Sequence, residues 1–379
     1  MNSSILKLLK KLISKASISP NDMGCQKIIS KELYKLGFAI QNFKIEDTNN
    51  MFAKIGNKHG KTLNFLGHTD VVPPGNLLNW KYNPFVPTIH DNNLFGRGAA
   101  DMKGSISSFI ISIKNFLNKF VHKMKGRITI LLTSDEEGSA KNGIKKVVKY
   151  LIKKKEKIDY CIVGEPTSEI FLGDTIKNGR RGSLHLKLYF LGKGGHIAYP
   201  NSSENLIHKA CFFIHDLTKF DWGDNYVDKD EKTSVQVSKI FSEDVPENVI
   251  SENLFLRINF RFSHKVSVKQ IKFCVRNLLN YHNIKFFMKW KLSGKPFITK
   301  RGKLLDIVNK TIFLLNKKKP KVSISGGTSD GRFISTMKSE IVELGLLNNT
   351  IHKPNEFVNI NDLNKLSTIY QKIIEGLLL

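Results

Sequence analysis

Three apolar, strand-like runs of this chain break off at imidazole or carboxylate side chains, and that limits what it can fold into. Thr62–Leu66 leads into Gly67-His68-Thr69-Asp70, and Ile128–Leu132 into Thr133-Ser134-Asp135-Glu136-Glu137-Gly138. Tyr160–Val163 leads into Gly164-Glu165-Pro166-Thr167. Strands that end this way place their polar groups at the rim of a sheet, where open α/β folds collect ligands. Between the first two, Gly98-Ala99-Ala100-Asp101-Met102-Lys103-Gly104 is a tight turn with another carboxylate.

Periodicity extends this to an architecture. Two N-terminal helices, around Ile5–Ile13 and Gln26–Leu36, precede strands near Phe38–Phe43, Met51–Ile55 and Leu63–Leu66. A helix over Ser105–Phe120, a strand over Arg127–Thr133, a helix over Ala140–Lys153 and a strand over Tyr160–Val163 follow. Such alternation predicts an α/β fold with a mostly parallel sheet covered on both faces. Beyond Asn178-Gly179-Arg180-Arg181-Gly182 the order becomes strand Leu184–Leu191, helix Glu204–Phe220, strands Thr233–Ile240 and Leu254–Phe262, helix Val268–His282 and strand Ile284–Trp290. This β-α-β-β-α-β order is the ferredoxin-like α+β signature. The expected organisation is a discontinuous catalytic domain, residues 1–179 and 294–379, with an inserted lid-like module over residues 180–293.

A chain of 379 residues, 41% of them hydrophobic, is long enough for two cores. Its 60 Lys+Arg against 33 Asp+Glu give a formal charge of +27. The excess is mostly Lys spread along the chain, without an Arg/aromatic recognition module, so no nucleic-acid partner is expected. Cys25, Cys161, Cys211 and Cys274 form no CxxC pair; they suit a reducing compartment and read as small core residues. No apolar run spans a bilayer, and the basic amphipathic N-terminus reads as a first helix packed on the sheet, so the expectation is a cytoplasmic protein without a membrane partner.

The polar strand ends suit a hydrolytic metal site, which needs N and O ligands and an open position for water. His68 offers an imidazole nitrogen, and Asp70 can orient that ring. Asp101 can bridge two ions. Glu136 and Glu137 are adjacent, so their side chains diverge: one can bind metal while the other takes a proton from water. Glu165 ends the next strand, and His352, in Asn349-Thr350-Ile351-His352-Lys353, is the best second imidazole. Each residue alone is a weak signal, since a Glu-Glu pair is usually solvated surface; their joint occurrence on successive strand ends carries the argument. No GxSxG elbow supports a serine mechanism.

The strings GHTDVVPPG, GRGAADMKGS, TSDEEG, VGEPTS, KNGRRGS, GGTSDGRF and TIHKPNE resemble those of the co-catalytic zinc peptidase/deacylase family, in particular its bacterial members that remove the succinyl group from N-succinyl-LL-2,6-diaminopimelate. The match runs over nearly the whole chain. The resemblance implies two Zn2+ ions per subunit, with Co2+ an alternative in one site. It implies Asp101 as the bridging carboxylate, His68 and Glu165 as ligands of one ion, and Glu137 and His352 as ligands of the other. Glu136 falls at the general acid/base position, with Asp70 behind His68. It further implies a homodimer in which the inserted dimerisation/lid domain presents His196 to the partner's active site. Arg180, Ser183, Tyr199, Asn248, Arg261, Gly327 and Thr328 are the implied substrate-binding residues; Arg forks suit the substrate's carboxylates. The segment Ile240–Asn248 departs from the family pattern in lacking glycines before Asn248. Rival expectations are another amide hydrolase of the family, a basic binding protein on the same fold, and a structural dimer.

Overall fold

Strands buried at every residue can only sit in the middle of a sheet covered on both sides, and that is where Arg127–Thr133, Thr62–His68 and Tyr160–Val163 lie. The computed structural model describes residues 3–224 and 231–379; residues 1–2 and 225–230, within the ranges expected for the catalytic and inserted domains, lie outside the described residues. The chain packs as two units. One comprises Met1–Gly179, Thr299–Ser323 and Ser329–Leu379, the other Arg180–Ile298 and Ile324–Thr328.

The first unit holds an eight-stranded sheet ordered Ala39–Ile45, Thr48–Gly56, Arg127–Thr133, Thr62–His68, Tyr160–Val163, Glu340–Glu343, Thr175–Lys177 and Lys321–Ser323. Its four central strands run parallel, in register with Thr62 opposite Arg127, Leu63 opposite Tyr160 and Glu340 opposite Tyr160. The expected mostly parallel sheet is corrected to a mixed one. Ala39–Ile45 and Thr48–Gly56 form an antiparallel hairpin, and Thr48–Gly56 is also antiparallel to Arg127–Thr133. The reason is the Glu46-Asp47 turn, too short for a crossover helix; Glu46 takes up the reversal in the left-handed region at φ 53°. A further antiparallel pairing joins Glu343 to Lys177.

The helix Gly104–Phe120 places Ile106, Phe109, Ile110, Ile113, Phe116 and Leu117 at helical spacing, all buried. Two of its buried hydroxyls are satisfied by the helix's own backbone: Ser107 donates to the Lys103 carbonyl and Ser112 to the Phe109 carbonyl. It packs beside the C-terminal helix Ile360–Leu378. The junction is aromatic: Phe65 of the central strand stacks on Phe109 at 4.1 Å, and Tyr370 meets both rings edge-on at 5.8 and 5.4 Å. The Tyr370 hydroxyl donates to the Leu344 carbonyl at 2.6 Å, so the ring is buried without an orphaned polar atom.

The second unit is an antiparallel four-stranded sheet ordered Ser234–Ser242, Asn253–Phe262, Gly182–Leu191 and Lys285–Gly294. With helices Leu206–Lys219 and Val268–Tyr281 this is the ferredoxin-like order. The second helix opens with a capping box between Ser267 and Gln270. Leu184, Leu186, Leu188 and Phe190 alternate with Leu254, Leu256, Ile258 and Phe260 on the face that meets the helices. Cys25, Cys161 and Cys274 are buried, whereas Cys211 is exposed on its helix, against the expectation of a core residue. Among the described residues no helix is long and apolar enough to cross a membrane.

Phe109→Ala removes the ring on which Phe65 and Tyr370 both pack and is expected to lower unfolding stability by about 3–5 kcal/mol; denaturant unfolding with a loss below about 1 kcal/mol would contradict this packing.

Candidate metal centre

At the C-terminal ends of the central parallel strands, one carboxylate lies between two imidazoles. Asp101 Oδ1 is 3.2 Å from His68 Nε2, and Asp101 Oδ2 is 3.1 Å from His352 Nε2. Glu165 Oε1 stands 3.7 Å from His68 Nε2, and Glu137 Oε1 2.8 Å from His352 Nε2. Asp101 therefore stands between His68 on one side and the His352–Glu137 pair on the other, and ligand atoms of His68, Asp101 and Glu137 lie within 4.8 Å of one another. Donors arranged tetrahedrally around an ion at bonds of about 2.0–2.1 Å stand roughly 3.3 Å apart, the range these separations occupy. Ligand atoms of His68, Glu136 and Glu165 also fall within 4.8 Å of one another. Nitrogen and carboxylate donors in this number fit a pair of divalent cations, with coordination positions left for water and substrate.

The local chain explains how each group is held. His68 is the last residue of its strand. Its Nδ1 lies 2.9 Å from the Asp70 backbone carbonyl, which can only accept, so Nδ1 carries a proton and Nε2 faces the carboxylates. The Asp70 carboxylate is farther away, at 3.7 Å from Nδ1. It accepts instead from Ser19 Oγ at 2.6 Å and from the backbone N–H groups of Glu137 and Glu136 at 3.1 and 3.4 Å. Asp70 thus orients the ring through its main chain and fixes the Glu136-Glu137 turn through its side chain, where the sequence reading gave the carboxylate the first task. Asp135, between strand and turn, accepts from the N–H groups of Ser139, Ala140 and Asn142 and closes the same loop.

The turn that carries Asp101 begins at Gly98, in the left-handed region at φ 86°. A Cβ there would come within 2.8 Å of Val71 Cγ1. Beyond it each residue has a separate task. Glu356, fully buried, accepts from the N–H groups of Gly98, Ala100 and Asp101 and from the guanidinium of Arg97 at 2.9 Å. Met102 Sδ accepts from the His68 N–H at 3.3 Å. Buried Lys103 donates to the carbonyls of Leu12 and Lys15, where the first helix ends. Glu356, Arg97, Lys103 and Ser19 were not singled out from the sequence. The available signal was position: Glu356 closes the TIHKPNE string, and Arg97 and Lys103 flank Asp101.

Charge follows from this enclosure. Burial disfavours the imidazolium of His68, but Asp101, Glu165 and Asp70 outweigh it and hold the ring well above its ordinary value. Asp101 and then Glu137 push His352 up to about 10. Burial would raise Asp101, yet the two imidazoles bring it below the ordinary carboxylate range. Glu136 goes the other way: burial, then Glu165 and Asp330, lift it well above that range, as a group that exchanges a proton with water requires. Asp330, in the GGTSDGRF string, is also buried; among the described residues its carboxylate oxygens accept no hydrogen bond, Arg332 Nη2 stands 3.7 Å from Oδ1, and burial pushes the group up to about 7.

The other residues singled out from the sequence lie in or beside the second unit. Asn248 Nδ2 is 3.3 Å from His196 Nε2, and the Tyr199 ring centroid is 5.5 Å from that of His196, so these three form one exposed group. Asn248 reaches His196 despite the missing glycines. Ser183 and Arg261 are register partners on adjacent strands. Arg180 donates to the Ser325 carbonyl at 3.0 Å and passes under Gly326, where a Cβ would meet its Nη1 at 2.7 Å. Gly327 is exposed and Thr328 half-buried in the same segment.

Two outcomes test this geometry. Glu356→Ala leaves Arg97 buried without its carboxylate and frees three N–H groups, so stability should fall by about 3–5 kcal/mol with weakened metal uptake; calorimetric melting and zinc titration unchanged from the parent would contradict it. His352 has a folded-state pKa of about 10, above its unfolded value of about 6.5. Its stabilising contribution to the metal-free protein is therefore complete below about pH 6.5 and lost as pH rises through about 10. Melting temperatures of chelated protein across that window should fall more for the parent than for His352→Gln, and parallel curves would refute the pairing.

Known proteins resemble this chain in sequence and in fold. Residues 65–376 match the model of peptidase family M20/M25/M40. A curated protein of Buchnera aphidicola subsp. Acyrthosiphon pisum (strain APS), named succinyl-diaminopimelate desuccinylase, is 50% identical over 380 residues, covering 100% of both chains. One of the same name from Buchnera aphidicola subsp. Cinara cedri is 50% identical over 382 residues, again at full coverage of both. Among solved structures, an M20-family metallo-carboxypeptidase from Sulfolobus solfataricus shares the fold with a TM-score of 0.79 at 18% identity, covering 100% of this chain and 99% of that one. A dinuclear metal binding peptidase of the M20 family from Bacillus subtilis does so at 0.73 and 14% identity, covering 98% and 97%. The chain belongs to peptidase family M20/M25/M40.

Proposed function

We propose that this chain is a metal-dependent amide hydrolase that converts N-succinyl-LL-2,6-diaminopimelate and water to succinate and LL-2,6-diaminopimelate, on the route to lysine and cell-wall precursors. The observation that carries the reading is the 50% identity, over the full length of both chains, to curated proteins named for that activity. The position of Asp101 between His68 and the His352–Glu137 pair supports it independently. The resident metal is assigned as two Zn2+ per subunit, with Co2+ an alternative in one site; when bound, the pair lowers the pKa of water and polarises the acyl carbonyl.

The chain's own residues do the rest. Glu136, with its raised proton affinity, takes a proton from the attacking water and returns it to the leaving amine. Asp70 keeps Glu136 and Glu137 on separate tasks by holding both backbone N–H groups. His196, contributed across a homodimer by the inserted lid and dimerisation domain, donates to the tetrahedral oxyanion. Arg180 and Arg261 take the substrate's carboxylates, with Ser183, Tyr199, Asn248, Gly327 and Thr328 reading the remainder. A small polar substrate of biosynthesis supports a cytoplasmic location, and the reaction calls for neither nucleic acid nor membrane.

Zinc-loaded protein should hydrolyse N-succinyl-LL-2,6-diaminopimelate, spare N-acetylornithine, and stop on chelation. Glu136→Gln should retain its metal and lose turnover by about 10²–10⁴-fold. Hydrolysis of N-acetylornithine alone would reassign the substrate, and retained turnover in Glu136→Gln would remove that residue from the proton transfers.

A further inference from the structure

The open face of the second unit's sheet carries side chains that neither its core nor the hydrolytic reaction uses. Residues facing the helices, such as Leu186, Leu188, Leu256 and Ile258, form the core, so their neighbours in sequence point the other way. Register arranges those neighbours in rows across all four strands. Phe241 lies opposite Phe255, Phe255 opposite Tyr189, and Tyr189 opposite Phe287. Two residues along each strand, Lys239 lies opposite Arg257, Arg257 opposite Lys187, and Lys187 opposite Lys289. The irregularity between Val237 and Lys239 in the edge strand brings Lys239 and Phe241 into these rows.

Like charges placed directly opposite one another destabilise a sheet, and here four cations do so in a line about 14 Å long at the usual strand spacing. Nothing in the sheet offsets them, because none of the four strands contains an Asp or Glu. All four cations are exposed. The field reaches His185 in the next row: burial, then Arg261, Lys291 and Arg257, lower its proton affinity. The aromatic row is equally open at its ends, with Phe241 and Phe287 about half exposed, at 53% and 52%. Tyr189 meets Phe255 at 5.0 Å and Phe287 at 5.9 Å, with ring planes tilted by 46° and 40°. Lys239 and Lys289 lie over Phe241 and Phe287, joining the rows at both ends.

We propose that this sheet face binds single-stranded nucleic acid, with bases stacked on the aromatic row and phosphates along the cationic row. A flat row of rings beside a line of cations suits a ligand that carries aromatic planes and regularly spaced negative charge on one strand. A duplex hides its bases from such a platform. A bilayer calls for side chains that project outward, whereas Tyr189 and Phe255 are half-buried between their neighbours. Composition predicts no nucleic-acid partner because Lys is spread along the sequence; strand register gathers four of those cations into one line.

The test is fluorescence anisotropy of fluorescein-labelled dodecamers of oligouridylate and oligodeoxythymidylate with the metal-loaded full-length protein. Four phosphate contacts predict a log–log salt slope of about −3, an affinity loss of about 50-fold between 50 and 200 mM salt. Lys187→Gln with Lys289→Gln should halve the slope, leaving a loss of about 7-fold over the same range. Phe241→Ala with Phe287→Ala should weaken binding about tenfold at every salt concentration with the slope unchanged. These sites are exposed and outside the metal centre, so hydrolysis and far-ultraviolet circular dichroism should match the parent. A preference between the two oligomers would identify RNA or DNA as the ligand. The proposal is overturned by absence of binding at 50 mM salt. It is equally overturned if a duplex of the same length binds as well and the aromatic variant is silent, or if anionic vesicles alone show the aromatic dependence.

Discussion

A carboxylate buried between two imidazoles has to be held against its neighbours and against its own desolvation. Asp101 meets both demands because its backbone N–H, with those of Gly98 and Ala100, is fixed by Glu356, which Arg97 holds in turn. That network sets the position from which the two Asp101 oxygens face His68 and His352. The strands contribute the other half of the frame, because three adjacent parallel strands deliver His68, the Glu136-Glu137 turn and Glu165 to one edge. The sheet fixes where the donors lie, and the buried Arg97–Glu356 pair fixes how the shared carboxylate is aimed.

Much of this was legible in the sequence, for a physical reason. A central parallel strand is buried on both faces and so carries a dense apolar run, and Arg127–Thr133 and Tyr160–Val163 have the bounds expected of them. The long helices were legible from apolar spacing, as at Val268–Tyr281. Strand direction was not: alternation of strands and helices favours parallel pairing, while a two-residue turn at Glu46-Asp47 decides the opposite locally. The proton donor to the Asp70 carbonyl and the partners of its carboxylate were also hidden, since both belong to one residue and only geometry separates them.

The least legible features are those made by register or by distance in the chain. Glu356 acts on residues more than 250 positions away, and a Glu in a polar stretch ordinarily reads as solvated surface. The segment Ile324–Thr328 packs with the second unit although chain order places it among residues of the first. The aromatic and cationic rows of the open sheet exist only once strand pairing is fixed, because Lys187, Lys239, Arg257 and Lys289 are scattered in sequence.

The central claim is that Asp101 joins two separate donor sets into one dinuclear centre. Anomalous diffraction at the zinc absorption edge from zinc-loaded crystals tests it most directly. The account predicts two peaks, one between Asp101, His68 and Glu165 and the other between Asp101, His352 and Glu137. A single peak, or peaks that leave Asp101 out of either site, would contradict it.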